Sequence, residues 1–470
     1  MASTTTVRLF DLNIEKILEG WELCHATREL IANALDERAL SATKDIRINH
    51  DAESAWTIRD YGRGLRYEHL TQNENQEKLK NPSKVIGRFG VGLKDALATF
   101  SRRGIDVHIQ SRFGNIALRQ SAKHGFEDVI TLHAAVTAAP DPSFEGTEIK
   151  LIGIPDSEVA KAKDFFLIFS GEPQLEETDY GQILSPIKGK PARIYVNGIV
   201  VAEEENFAFS YNITSLTAAM RKALNRERTN VGRTAYSERV KAMLLAASST
   251  PVANTLGAEL EKVQLGTNAD EVGWLDVAVH GCQILNVTGK VLFVTAGELV
   301  LYPEAIDRAR SDGYRVVNVP ENVRQSLRGL KDISGQDVRD LNVYDAEWQQ
   351  SFAFKFVSTE NLGKKELEIF ERRHEIARLI GGLPRGVKEV LISETMRPET
   401  LGGGDADGLW EAAMGRIIIK RSQLSSTAAF AGTLLHEIAH AKSGFGDVSR
   451  DFELVLTDFL GRTATRALSG

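Results

Sequence analysis

An α+β chain of several domains is the fold class this sequence predicts, and three observations predict it. Near the N-terminus, helical periodicity gives way to short strand-like runs, the pattern of helices packed on one face of a mixed sheet. In the middle, a strand at Lys290–Thr295, a helix at Pro303–Ser311 and a strand at Arg315–Val319 form a strand–helix–strand unit. Toward the C-terminus, the strand Arg416–Lys420 leads into long helices, so a mostly helical last domain is expected.

The elements follow in order. Ile14, Ile17, Leu18 and Trp21, then Leu23, Leu30, Ile31 and Ala34, recur at helical spacing. Strands are expected at Asp45–Asn49 and Trp56–Arg59, then a polar stretch from Arg66 to Lys84, and a helix after the glycines of Gly87–Gly92. Further strands fall at Ile105–Ser111, Ile116–Gln120, Val129–Leu132 and Glu148–Ile152. A charged helix opens the next segment. Arg193–Val201 then reads as a hairpin turned at Asn197-Gly198, and the polar run Arg226–Arg233 lies on a helix. Gly402–Gly404 is a loop, a long helix starts near Thr427, and a last helix lies near Phe452–Leu460. Four segments are expected: 1–153, an α/β segment 154–250 and another 251–343, and 344–470.

Composition narrows the function. The 470 residues carry 57 Lys+Arg against 64 Asp+Glu, a net charge of −7 that argues against nucleic acid as the main partner. Hydrophobic residues at 42% and charged residues at 26% describe an ordinary globular chain and exclude wholesale disorder. No apolar run approaches the roughly 18 residues of a membrane span. The opening Met1–Asn13 has no charged stretch leading into an apolar one, so no signal peptide is read. Cys24 and Cys282 cannot form a disulfide framework. A cytoplasmic location is expected.

Chemistry concentrates in two places. In the first, Glu29, Asn33 and Asp36 stand at i, i+4 and i+7, one polar stripe on an otherwise apolar helix. Asp60-Tyr61-Gly62-Arg63-Gly64 follows a strand, Gly87-Arg88-Phe89-Gly90-Val91-Gly92-Leu93-Lys94 opens a helix, and Gly146-Thr147 precedes a strand. Glycines at a helix N-terminus present backbone N–H groups to phosphates. A carboxylate can take a proton from an in-line water, and an amide oxygen suits Mg²⁺.

These four boxes, in this order over residues 10–153, resemble the GHKL ATPases, the relatives of gyrase B, the heat-shock chaperones, MutL, MORC and the histidine kinases that share the Bergerat fold. The Gly-Leu-Lys ending of the third box is closer to MORC and topoisomerase-like members than to histidine kinases. The resemblance implies ATP as ligand, Glu29 as general base and Asn33 as the Mg²⁺ ligand. It implies Asp60 as acceptor for the adenine amino group, with Asp36, Gly62, Gly64, Gly87, Gly90, Gly92, Lys94 and Thr147 around the nucleotide. Residues 66–84 become the lid over ATP, and the segment from 154 becomes a transducer that contacts the γ-phosphate through a basic residue, with Lys188, Lys190, Arg226 and Arg228 as candidates. A homodimer on ATP binding is the family expectation.

The second place is Leu434-Leu435-His436-Glu437-Ile438-Ala439-His440-Ala441. Two histidines at i and i+4 on a helix can bind one Zn²⁺, and the intervening Glu437 can deprotonate a water there. The third ligand is read as Glu453 on the next helix, with Asp447 and Asp458 as rivals; Asp458 could instead orient a histidine. Arg416–Leu460 resembles zincin-type peptidase domains of the gluzincin kind, and the strand Arg416–Lys420 is expected to be the edge that pairs with substrate. Tyr344 and His374 are candidate oxyanion donors.

Together these point to an ATP-regulated zinc metallopeptidase acting on a protein substrate, in a setting such as bacterial defence or stress response. The alternative is a non-proteolytic chaperone- or MORC-like switch whose metal site is structural or inactive. A DNA-processing factor is a third class, disfavoured by the net charge.

Overall fold

The computed structural model describes residues 7–14, 20–51, 55–70, 76–81, 85–87, 92–224, 231–398 and 405–469. They form two compact units, Met1–Leu285 and Asn286–Gly470.

The first unit is built on a seven-stranded sheet with order β1-β6-β5-β4-β7-β3-β2. Its strands are β1 (Arg8–Asp11), β2 (Arg47–His50), β3 (Ala55–Arg59), β4 (Asp106–Ser111), β5 (Gly114–Lys123), β6 (Phe126–Thr137) and β7 (Thr147–Ile152). Every pairing is antiparallel, which corrects the expected mixed sheet. β4 alternates, with Val107 and Ile109 buried between more accessible neighbours, and β7 buries Ile149 and Leu151 in the same way. That buried face is covered by helices α1 (Leu23–Ser41) and α3 (Gly92–Arg102), which bring Leu30, Ile31, Ala96, Leu97 and Phe100 into one core. A short helix α2 (Gln76–Lys80) lies in the polar stretch between them.

The core does not stop at residue 153. Val159 and Ala162 of α4 (Asp156–Asp164) join it, as does Ile199 from the second sheet. That sheet has order β11-β10-β12-β9-β8, from β8 (Gln174–Thr178), β9 (Gly181–Leu184), β10 (Ala192–Val196), β11 (Ile199–Glu204) and β12 (Ser210–Ile213). β10 and β11 are the expected hairpin, with Asn197 at its tip in the left-handed region (φ 49°).

In the second unit, β13 (Val291–Val294) and β14 (Arg315–Asn318) pair in parallel across the helix Pro303–Ser311, as expected. The C-terminal part is less helical than its sequence suggests. It holds a four-stranded sheet of order β15-β16-β18-β17, from β15 (Phe356–Val357), β16 (Glu389–Ser393), β17 (Gly408–Glu411) and β18 (Arg416–Lys420). β18 lies inside this sheet and β17 forms its edge, correcting the expectation for Arg416–Lys420. Ile417, Ile418 and Ile419 are all buried, as an inner strand requires. The helix Thr427–Ser443 packs on it and the helix Arg450–Ser469 packs on that helix, sharing a core of Phe430, Leu434, Ile438, Phe452 and Phe459. No helix among the described residues is long and apolar enough to cross a membrane.

Candidate functional site

Helix α1 forms because its apolar positions face the sheet, and that orientation turns the polar stripe toward the opening of α3. Glu29 is half-buried and accepts from Arg28 Nη2 at 3.0 Å. A Cβ on Gly92 would collide with the Glu29 carboxylate, so the start of α3 can approach it only as glycine. One turn on, Asn33 Oδ1 and Asp36 Oδ2 share the Lys78 ammonium, at 2.9 and 2.7 Å. Asp36 also accepts the backbone N–H groups of Ile86, at 2.5 Å, and Gly87, at 2.8 Å. The stripe read from the sequence therefore anchors the segment that enters the glycine turn.

Asp60 is buried beyond the end of β3, where its Oδ1 accepts from the N–H of Gly62 at 2.9 Å and of Thr147 at 3.3 Å. Burial pushes its carboxyl above the usual range and nearby Glu37 adds to this, while those hydrogen bonds pull the other way. The second and fourth boxes meet here. Gly146 has φ 79°, and a Cβ on it would run into the Asp60 carbonyl.

Asn33, Asp60, Gly64, Lys78, Leu93 and Thr147 line one cavity of about 420 Å³, walled by Leu30, Ala34, Ile58 and Ile149. Its size, with an apolar wall facing charged groups that include Glu37, Arg63, Arg66 and Arg112, suits a small ligand that is part apolar and part charged. Lys94 is half-buried on α3 and is not among the described lining residues. Gly90, Arg226 and Arg228 lie outside the described residues. Lys188 is exposed and Lys190 pairs with Asp164 at 3.5 Å, so neither reaches the cavity.

Sequence reasoning missed an ion-pair network on the rim. Arg63 donates to Glu37 through Nε at 2.9 Å and Nη2 at 3.0 Å, and to Glu77 on α2 at 2.9 Å. Burial opposes ionisation of Glu37, but the bonds from Arg63 and Ser41 outweigh it and bring its carboxyl down to about 2. Glu37 continues the stripe at i+8 from Glu29, the one signal that could have flagged it. The hairpin tip of the second sheet also reaches this region, where Asn197 Nδ2 donates to the Val85 carbonyl at 2.9 Å.

The second unit gathers the other site. His436 Nε2 and His440 Nε2 lie 3.2 Å apart, and Asp447 Oδ1 is 2.9 Å from the first and 3.0 Å from the second. Three donors at a Zn²⁺ distance of about 2.1 Å would be separated by about 3.4 Å in a tetrahedron, a few tenths of an ångström more than these separations, so the cluster can take one ion with a small outward shift. The Phe445 carbonyl, 2.8 Å from His440 Nδ1, holds that nitrogen as the donor and leaves Nε2 its lone pair.

Glu453 does not join them. It is solvent-exposed and pairs with Arg450 at 3.6 Å, because the preceding Phe452 takes the inward face of its helix. That ring stacks on His440 at 4.3 Å and meets His436 edge-on at 5.0 Å. The geometry thus favours Asp447 over the expected Glu453. Asp458 pairs with Lys442 and Arg462 rather than orienting a histidine. Tyr344 donates to Asp312 at 2.7 Å and His374 is exposed, and neither is among the described lining residues of this cavity.

Glu437 is 5% exposed and lies against β17. A Cβ on Gly408 would stand 2.7 Å from Glu437 Oε1 and 2.6 Å from Thr433 Cγ2, so glycine there lets the edge strand pass under the carboxylate. Both histidines, Glu437 and Asp447 line a cavity of about 460 Å³ with Met396, Leu409 and Trp410.

Among the described residues, each compact unit thus holds a cavity lined by polar and charged groups. The family model described as the Mycoplasma pneumoniae MPN635 N-terminal domain matches residues 157–250. An uncharacterized protein of Mycoplasma pneumoniae (strain ATCC 29342 / M129 / Subtype 1) is 36% identical over 242 residues, 51% of this chain and 97% of that protein. The chain belongs to the family of that protein. A second uncharacterized protein of the same organism is 25% identical over 332 residues, 67% of this chain and 93% of the relative. Among solved structures, the ATPase region of Saccharomyces cerevisiae topoisomerase II is similar at 10% identity and a TM-score of 0.24, over 38% of this chain and 62% of that one. The ATPase and transducer domains of DNA topoisomerase II from Balamuthia mandrillaris follow at 12% identity and a TM-score of 0.26, over 38% of this chain and 60% of that one. The chain thus spans less than two thirds of those structures.

Proposed function

We propose that this protein is an ATP-regulated zinc metallopeptidase. The observation that carries the reading is convergence. Asn33, Asp60, Gly64, Leu93 and Thr147, one or two from each of the four boxes, line one nucleotide-sized cavity, and His436, His440 and Asp447 close on a spacing that fits one metal ion.

In the first cavity, Asp60 accepts the adenine amino group, with the ring between Ile58, Ile149 and Leu93. Asn33 offers its amide oxygen to Mg²⁺, and the N-terminus of α3 faces the phosphates with its backbone N–H groups. Glu29, held by Arg28, takes the proton of the attacking water. The hydrogen bond from Asn197 to Val85 supplies a route from the phosphate turn to the second sheet.

In the second cavity, His436, His440 and Asp447 would hold Zn²⁺, which when bound lowers the pKa of a water and polarises a carbonyl. Glu437 takes that water's proton and returns it to the leaving amine. Among the described residues β17 is an edge strand, along which an extended peptide can pair. The Met396, Leu409 and Trp410 wall receives an apolar side chain.

Two measurements test the halves separately. Glu29→Ala is expected to bind ATP and lose turnover; unchanged hydrolysis removes Glu29 as the base. Elemental analysis is expected to find about one zinc per chain, lost in His436→Ala. Metal-free protein after zinc is supplied would remove the peptidase half and leave an ATP-driven switch.

A further inference from the structure

Arg63, Arg66, Lys78 and Arg112 line the nucleotide cavity, and one of these cations sits on the polar stripe of α1. Lys78 reaches from α2 to place its ammonium 2.9 Å from Asn33 Oδ1 and 2.7 Å from Asp36 Oδ2. The contact is largely buried, with 13% of the lysine side chain and 1% of the aspartate exposed. It also adjoins the phosphate turn, because Asp36 holds the N–H groups of Ile86 and Gly87 and a Cβ on Gly87 would stand 3.0 Å from the ammonium.

We propose that Lys78 is a tethered cation that occupies the metal position on Asn33 until Mg²⁺ arrives with the nucleotide, so that metal binding must lift Lys78, and α2 with it, off α1. The proposal rests on the nucleotide reading above. Mg²⁺ needs the Asn33 oxygen at about 2.1 Å, and a second cation on that oxygen is repelled strongly where little water screens it. An ammonium on a flexible four-carbon stem can leave, whereas Asn33, fixed on α1, cannot. Asp36 keeps its two backbone donors when Lys78 departs, so the turn at Ile86–Gly87 stays anchored while α2 is released. Arg63 still ties Glu77 to Glu37, so the released helix pivots on the rim. Metal occupancy is thereby converted into the position of the segment over the cavity, with a coupling that must run both ways.

Calorimetric titration of ADP, with and without Mg²⁺, tests this in the full-length protein, Lys78→Met and Glu77→Gln. The metal should tighten ADP binding by about tenfold more in Lys78→Met than in the wild type, the worth of one charged hydrogen-bonded contact no longer displaced. Glu77→Gln loosens α2 but keeps the ammonium, so its metal factor should fall between those of the wild type and Lys78→Met. Equal metal factors in the wild type and Lys78→Met overturn the proposal. A wild type that binds no ADP under either condition overturns the nucleotide reading itself. Should Lys78→Met fail to fold, hydrogen exchange on the wild type decides: residues 76–81 should exchange faster with ADP and Mg²⁺ than with ADP alone, and equal or slower exchange contradicts it.

Discussion

Removing Asp447 separates the two candidate ligand sets most cleanly. Its Oδ1 lies 2.9 and 3.0 Å from the two histidine nitrogens, whereas Glu453 faces solvent beside Arg450. Zinc held in small protein sites is worth on the order of 10 kcal/mol, which over three protein ligands is about 3 kcal/mol each, or roughly 200-fold in affinity. Asp447→Ala should therefore weaken zinc binding by roughly that factor, measured by competition with a chromophoric chelator. Asp447 is an exposed loop residue, so its loss should leave the thermal transition of the metal-free protein unchanged. Glu453→Ala should bind zinc as the wild type does. The opposite result, in which Glu453→Ala strips the metal and Asp447→Ala keeps it, would refute the assignment.

The other predictions span both units. Asp60→Ala should weaken ATP binding by about 10- to 100-fold and erode the preference for ATP over GTP in calorimetry, because it removes a buried charged acceptor. Gly408→Ala should push Glu437 aside by several tenths of an ångström, lowering peptide cleavage by about 10- to 100-fold while zinc content stays the same. Burial raises Glu271 to about 7 against its hydrogen bonds from Ala208, Phe209 and Tyr211. The folded carboxyl thus keeps its proton to about 7 while the unfolded one loses it near 4.5, so this contribution is full below about 4.5 and is lost as pH rises through 7. Urea midpoints at pH 5 and pH 8 should differ more in the wild type than in Glu271→Gln.

Much of this was legible because periodicity and spacing carry it. The stripe from Glu29 to Asp36, the hairpin at Asn197-Gly198, the helix Pro303–Ser311 and the strand Arg416–Lys420 all stand where the residues suggest. What was hidden depends on partners. β1 has only four residues and exists through its pairing with β6. β17 is equally short and follows a glycine run, so the edge of the last sheet was assigned to its apolar neighbour β18. Glu453 looked suitable on a helix drawn in isolation, but Phe452 takes the inward face, and Asp447 arrives from a loop whose path no helical spacing encodes. Arg63 stands in the second box and Lys78 in the expected lid, but their partners Glu37, Glu77, Asn33 and Asp36 lie far along the chain, and only the folded chain shows those pairings.

The most direct test of an ATP-regulated peptidase is cleavage of an unfolded protein such as casein by zinc-loaded enzyme, with and without ATP and Mg²⁺, beside Glu437→Gln and Glu29→Ala. The account predicts cleavage that depends on nucleotide, is abolished in Glu437→Gln with zinc still bound, and in Glu29→Ala loses its dependence on ATP turnover. Cleavage that persists in Glu437→Gln, or zinc-loaded protein that cuts nothing in any nucleotide state, would contradict it.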